Sequence, residues 1–278
     1  MSSHATAEFG PRFIGSPTGT LRAAVLVRPA RAIERVTPLN GEPGVIFDRA
    51  CEQHAVLVRT LRYFGVEVQV FDGEREDGRC VAVADTAVFF ENGAVFMRQS
   101  AMGRRAEAEY IEAKFMKMDV PIAGHIAAPG LLDGGDVLLA ADTAFIGIGK
   151  RGNSLGRGGF AEVARAHGYR TVEVCIAEDV CALRNVIAVL DAETLVVAPE
   201  KVDLSAFTNF KTIVLERGEE LGAGILTLGN RHVIADVRYR TALKRLRQAG
   251  ITVEGIDLYE FEKVGITPSM LVLAMRRT

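Results

Sequence analysis

Two short motifs place carboxylates where a chain could use them: Asp133 stands in LLDGGDV and Asp85 in VADTA. A carboxylate can hold a cation or move a proton. Aspartate before glycine is also a favoured turn residue, so Asp133 has a structural reading beside the chemical one. Asp85 lies in a β-like apolar run, where an unpaired charge is costly; it either lines a site or has a charged partner. Arg98 in FMRQS follows a strand-like run and Arg151 in GKRGN precedes a loop. A guanidinium's fork of donors suits a carboxylate, although either arginine alone reads as a surface charge. Ser269 follows Pro268, and its hydroxyl would need an adjacent base to act as a nucleophile. Lys263 in EFEKVG could move protons. Cys175 and Cys181 read first as small buried hydrophobes. His54, His125, His167 and His232 are scattered without metal-ligand spacing, so no metal and no cofactor is implied. The Gly-rich loop from Gly152 to Gly159 lacks the Lys-Ser/Thr ending of a phosphate cradle, and the Arg104-Arg105 pair reads as a solvated helix start.

The elements that must position these residues repeat. Period-2 apolar stretches recur with a polar turn between them and a helix-period stretch behind, at roughly 40 to 50 residues. The clearest copy runs VAVADTAVFF, turns at Glu91-Asn92-Gly93, returns as AVFMRQ, enters a helix with the stripe Ala108, Ile111, Phe115, Met118, and closes with VPIAG. The next has GDVLLA, TAFIGIG, a helix with Phe160, Val163 and Ala164 beyond the Gly-rich loop, and YRTVEVCI. Then come VIAVLD, TLVVAP and KTIVLE with a short helical piece near Leu204 to Phe207. The last full copy has AGILTLG, RHVIADV, a helix over Thr241 to Ala249 stopped by Gly250, and ITVEGID. The first unit, AAVLVRP, a helix from about Asp48 to Phe64 and VEVQVF, lacks one strand, and GITPSMLVLAM near the C-terminus supplies it. Pairing of the last strand beside the first would close a ring and leave no open edge. The expected fold is therefore a five-fold pseudo-symmetric α/β propeller of strand-turn-strand-helix-strand repeats; an ordinary open α/β sheet is the alternative.

Composition narrows the function classes. With 278 residues, 49% of them hydrophobic, the chain can bury a substantial core. Acidic and basic residues nearly cancel, 35 against 33, so no long-range positive field draws nucleic acid or an acidic membrane. Residues 1–20 are polar and rich in Gly, Ser and Thr and read as a flexible arm rather than a signal peptide; residues 21–278 read as one domain. No run reaches membrane-spanning length. Four cysteines without a CxxC pair suggest reduced thiols and a cytoplasmic location.

VADTAVFFENGAVFMRQSAMGRRAEAE, LLDGGDVLLAADTAFIGIGKRGNSLG and YEFEKVGITPSM resemble, in order and spacing, the guanidino-group-modifying (pentein) superfamily and within it the dimethylarginine dimethylaminohydrolases, over about Leu21 to Met275. The resemblance implies the propeller fold and hydrolysis of a substituted guanidinium through a covalent thiouronium on a cysteine, with a histidine as acid and base. It implies that Asp133 and Asp85 are the carboxylate clamps and that Arg98 and Arg151 hold the substrate's α-carboxylate. It also exposes departures. Ser269 occupies the position of the nucleophilic cysteine and Ala182, in Cys181-Ala182-Leu183-Arg184, that of the histidine. Ala84 and Arg79 stand where the family has acidic residues. Loss of a nucleophile or its base costs about 10⁴ to 10⁶ in the best-studied triad, so the thiouronium route should be absent.

Two functions follow as expectations. The first is an enzyme of hydrolase type acting on a C–N bond of a small amino-acid-like guanidino or ureido substrate, held by Asp85, Arg98 and Arg151, with Asp133, Lys263 and Ser269 in catalytic roles. The alternative is a noncatalytic relative that binds a small carboxylate ligand or a protein partner. A homodimer is expected by analogy with relatives.

Overall fold

The computed structural model describes residues 13–39, 41–73 and 77–278. After the opening strand β1 (Leu21–Val27), helix α1 (Phe47–Tyr63) buries Ala50, His54, Leu57, Val58 and Leu61, one stripe at helical spacing. Gly65, at φ +75°, releases the chain from the helix into β2 (Glu67–Phe71). The second unit is β3 (Ala87–Phe90), β4 (Gly93–Phe96), helix α2 (Arg105–Lys117) and β5 (Ile122–His125). The third is β6 (Val137–Ala140), β7 (Thr143–Ile148), α3 (Ser154–Ala166) and β8 (Arg170–Cys175). The fourth has a one-turn helix α4 (Leu183–Val186) ahead of β9 (Ile187–Val189), β10 (Thr194–Val197) and β11 (Lys211–Val214). Its connection to β11 is a single 3-10 turn, Leu204–Phe207. The fifth is β12 (Leu226–Gly229), β13 (His232–Asp236), α5 (Arg240–Gln248) and β14 (Thr252–Ile256). A short helix α6 (Tyr259–Glu262) then leads to β15 (Leu273–Arg277).

Every unit makes its own three-stranded sheet, in the orders β3-β4-β5, β6-β7-β8, β9-β10-β11, β12-β13-β14 and β15-β1-β2. In each, an antiparallel pair is followed by a parallel one; β15 runs antiparallel to β1, pairing Leu21 with Arg277 and Val25 with Leu273, while β1 runs parallel to β2. The C-terminal strand thus closes the ring, and the fold is the five-fold α/β propeller. The five first strands, β3, β6, β9, β12 and β15, line a channel along the axis. Apolar clusters fill the wedges between neighbouring sheets: Phe90, Ile146 and Phe160 in one, Phe89, Phe96 and Phe115 in another.

Two local expectations change. The stretch 152–159 is not a loop: α3 begins at Ser154, because the Asn153 side chain accepts from Gly156 N at 2.8 Å and caps the first turn. Gly156 is needed there, since a β-carbon would meet the backbone of Leu131. Of the arm expected over 1–20, residues 1–12 lie outside the described residues, and 13–20 pack against the ring. Phe13 and Ile14 are buried, Phe13 N donates to Glu91 O, and Arg277 N donates to Phe13 O; two large apolar side chains gain more from the wedge than from water.

Candidate active site

At one end of the ring, each first strand is entered through a tight turn, and these turns converge on the axis. Val83–Asp85 precedes β3, Gly134–Asp136 precedes β6, and α4 precedes β9. The turns touch: Gly135 N donates to Asp85 Oδ1 at 3.0 Å, and Leu183 N donates to Asp136 Oδ1 at 2.8 Å. Asp133, beside the first glycine, accepts from Ser100 N at 2.8 Å. A β-carbon on Gly135 would sit 2.5 Å from Asp85 Oδ1, which is why the turn after Asp133 carries no side chain. Three carboxylates are thereby gathered, none more than 2% exposed.

Burial of so much negative charge is tolerable only with partners, and two arginines supply them. Arg104 Nη1 lies 2.6 Å from Asp85 Oδ2 and 3.9 Å from Asp133 Oδ2, while its Nε and Nη2 grip Glu107 at 2.8 and 2.7 Å. Arg151 Nη1 lies 2.9 Å from Asp85 Oδ2 and 3.3 Å from Asp133 Oδ2, and its Nε 3.4 Å from Asp136 Oδ2. The two clamp aspartates diverge in acidity. Burial raises Asp85, but Arg151 and Arg104 outweigh it and hold the carboxyl at about 2. Burial and the negative charge of Asp85 push Asp133 up to about 6, against the pull of Arg151. A neighbouring pair pushed apart in this way is the arrangement that assigns acid and base roles in carboxylate sites.

A cavity of about 400 Å³ opens onto this network, lined by Asp85, Asp133, Arg104 and Arg151 at its floor, by Ala182, Cys181, Ile266 and Met270 on its walls, and by Arg79, Lys150, Glu178 and Asp179 toward its mouth. Asp85, Asp133 and Arg151 are therefore brought together, but Arg151 is paired with the aspartates, where the resemblance implies a hold on a ligand carboxylate. Arg98, Lys263 and Ser269 are not part of the lining. Arg98 is tied back, Nη1 donating to Gly130 O at 3.3 Å, within a strand bridge to Leu132. Lys263 is buried 2.7 Å from Glu260 Oε2, its ammonium over the Tyr259 ring. Ser269 Oγ donates to Arg184 O at 2.9 Å and faces the channel on the other side of the turns. The residue that the sequence reading misplaced is Arg104, only 7% exposed rather than solvated. Its one sequence signal is the spacing to Glu107, a helical i, i+3 ion pair. Among the described residues no group of three His, Cys, Asp or Glu side chains could hold a metal ion, and no helix is long and apolar enough to cross a membrane.

No family model matches the chain. Individual proteins do. The dimethylarginine dimethylaminohydrolase of Pseudomonas aeruginosa is 26% identical over 238 residues, 85% of this chain and 92% of that protein. The enzyme of the same name from Streptomyces coelicolor is 29% identical over 216 residues, 77% and 81% of the two chains. A cysteine-to-serine mutant of the Pseudomonas enzyme complexed with citrulline superposes with a TM-score of 0.84 at 24% identity, covering 91% of this chain and 99% of its own. The chain is thus similar in sequence to the dimethylarginine dimethylaminohydrolases and shares their pentein fold. The same fold is found in the N-terminal domain of ArgZ, a cyanobacterial arginine dihydrolase solved with its product, at TM-score 0.80, 19% identity and coverages of 90% and 96%. Of the dimethylargininase-like motifs VADTA and LLDGGDV, Asp85 and Asp133 line the cavity, and Ala182 lines it too.

Proposed function

We propose that this protein binds a small amino-acid-like ligand with a ureido or guanidino head in the cavity over Asp85 and Asp133, and hydrolyses its C–N bond without a thiouronium. The carrying observation is the buried aspartate pair of divided acidity at the inner end of an open-mouthed cavity. Asp133, near its own midpoint in neutral solution, is the proton carrier. It takes a proton from a water that adds to the head-group carbon and returns it to the departing nitrogen as the C–N bond breaks. Asp85, fully ionised, holds head-group N–H donors and keeps Asp133 basic enough to act. Because Arg104 and Arg151 already neutralise the clamp, a neutral ureido head fits the charge balance better than a second guanidinium. Arg79 and Lys150, near the mouth and without an acidic partner among the described residues, take over the ligand carboxylate from Arg98.

A second reading is favoured by a different observation. With Ala182 in the cavity wall and the Ser269 hydroxyl turned to the channel, no side chain among the described residues supplies a serine nucleophile with a base, and a pocket that binds without turnover fits equally. One experiment separates the two: thermal shift and product assay with arginine, methylated arginines, citrulline and ornithine on the wild type, Asp133→Asn, Arg79→Met and Arg98→Ala. Stabilisation by the ureido acid with product, product lost in Asp133→Asn, supports the enzyme; stabilisation without product supports the binder. Stabilisation that survives Arg79→Met but is lost in Arg98→Ala overturns the ligand orientation.

A further inference from the structure

On the opposite side of the turns, the axial channel encloses a cavity of about 120 Å³, well above the roughly 10–15 Å³ that one water needs. Its walls are the inner faces of β3, β6, β9, β12 and β15, and they are apolar: Phe89, Leu139, Val189, Leu226 and Leu273. Into this lining project two arginines. Arg184, at the start of α4, has among the described residues a single hydrogen bond from its guanidinium, Nη2 to Ser269 O at 2.6 Å. Arg277, the last residue of β15 and 8% exposed, gives Nη1 to Gly19 O at 3.0 Å and Nη2 to Thr227 O at 2.7 Å. Neither has a carboxylate within ion-pairing distance among the described residues. Asp85, the acid whose field reaches Arg184, is already held by Arg104 and Arg151. Residues 13–20 cover the mouth, with Ile14 and Pro17 in the lining.

Two like charges in one apolar cavity, each satisfied only by neutral carbonyls, form an incomplete arrangement. The strain is visible in their acidity: burial lowers both guanidinium groups to about 10, and the charge of Arg184 adds to the effect on Arg277. We propose that the channel is an anion site, in which Arg184 and Arg277 together hold one small monoanion, a halide or the carboxylate of a short acid. A single charge is set by the surroundings: the lining is otherwise apolar apart from Thr227 and Ser269, whose hydroxyls already donate to Val189 O and Arg184 O. A guanidinium forks readily onto a halide or a carboxylate oxygen. The site is separate from the aspartate cavity and does not depend on the reaction proposed for it.

The test uses the full-length protein in a halide-free gluconate buffer, with bromide, chloride or acetate titrated in at constant ionic strength. A saturable rise in Tm is expected for the wild type and is lost in Arg184→Met, and crystals grown with bromide should show an anomalous peak between the two guanidinium groups. Saturation by acetate but not by halide identifies a carboxylate site; saturation by halide alone identifies an inorganic one. The bromide map requires no variant, so it decides even if Arg184→Met fails to fold. Bromide found only against Arg79 and Lys150, or no peak and no saturable effect of any of the three anions, overturns the proposal.

Discussion

Asp133 is the residue whose environment makes the sharpest statement about solution behaviour. Its carboxyl titrates near 6 when folded, above the ordinary aspartate value of 3.8, so the folded state binds the proton more tightly than the unfolded one. The stability it contributes is therefore fully present below about pH 4 and is lost as pH rises through 6. In the neutral Asp133→Asn variant that part of the profile should flatten, measured as the urea midpoint between pH 4 and 7; an unchanged slope would remove Asp133 from the pair. The carboxylates were legible from their motifs, since aspartate in an apolar run demands a partner. Arg104 was not. Beside Arg105 at a helix start it looks like any solvated base, and only the packing of α2 against the Asp85 turn puts it between Asp85 and Glu107.

At the scale of elements, the site depends on how α3 starts. Asn153 accepts from both Gly156 N and Leu131 N, at 2.8 and 2.9 Å, and donates to Pro129 O at 3.0 Å, so one side chain caps the helix and ties it to the segment that delivers Asp133. Arg151, two residues earlier, is aimed by the same anchor. Asn153→Ala should cost about 2 kcal/mol, a lost cap together with an unsatisfied Leu131 amide. It should also weaken whatever ligand the cavity holds, read as denaturant midpoint and thermal shift on one preparation. Helix periods marked α1 and α5 to within a residue of their ends, with Gly65 and Gly250 as stops, and placed the stripe of α2 without its ends. The start of α3 escaped that reading because Gly156, Gly158 and Gly159 lower helix propensity, whereas close approach to Leu131 requires the first of them.

For the whole molecule, closure is the controlling feature. β15 pairs with β1 and its side chains enter the wedge with Phe13, Val25 and Phe115, so the last residues of the chain complete the first sheet. Deleting residues 273–278 should abolish a single cooperative transition and expose apolar surface to a dye, since the edge of β1 and two wedges open together. A sharp transition within a few degrees of the intact chain would show the ring to be independent of its closing strand. The sequence by itself determined the repeat, the closing strand and the two aspartates, because alternation, turn residues and the cost of a buried charge are local properties of the chain. Which arginines meet those aspartates, which side of the turns Ser269 faces, and that Arg184 and Arg277 share one cavity were decided only by the tertiary structure. Those relations join residues up to 93 positions apart, brought together by five turns converging on one axis, and no spacing along the chain encodes them.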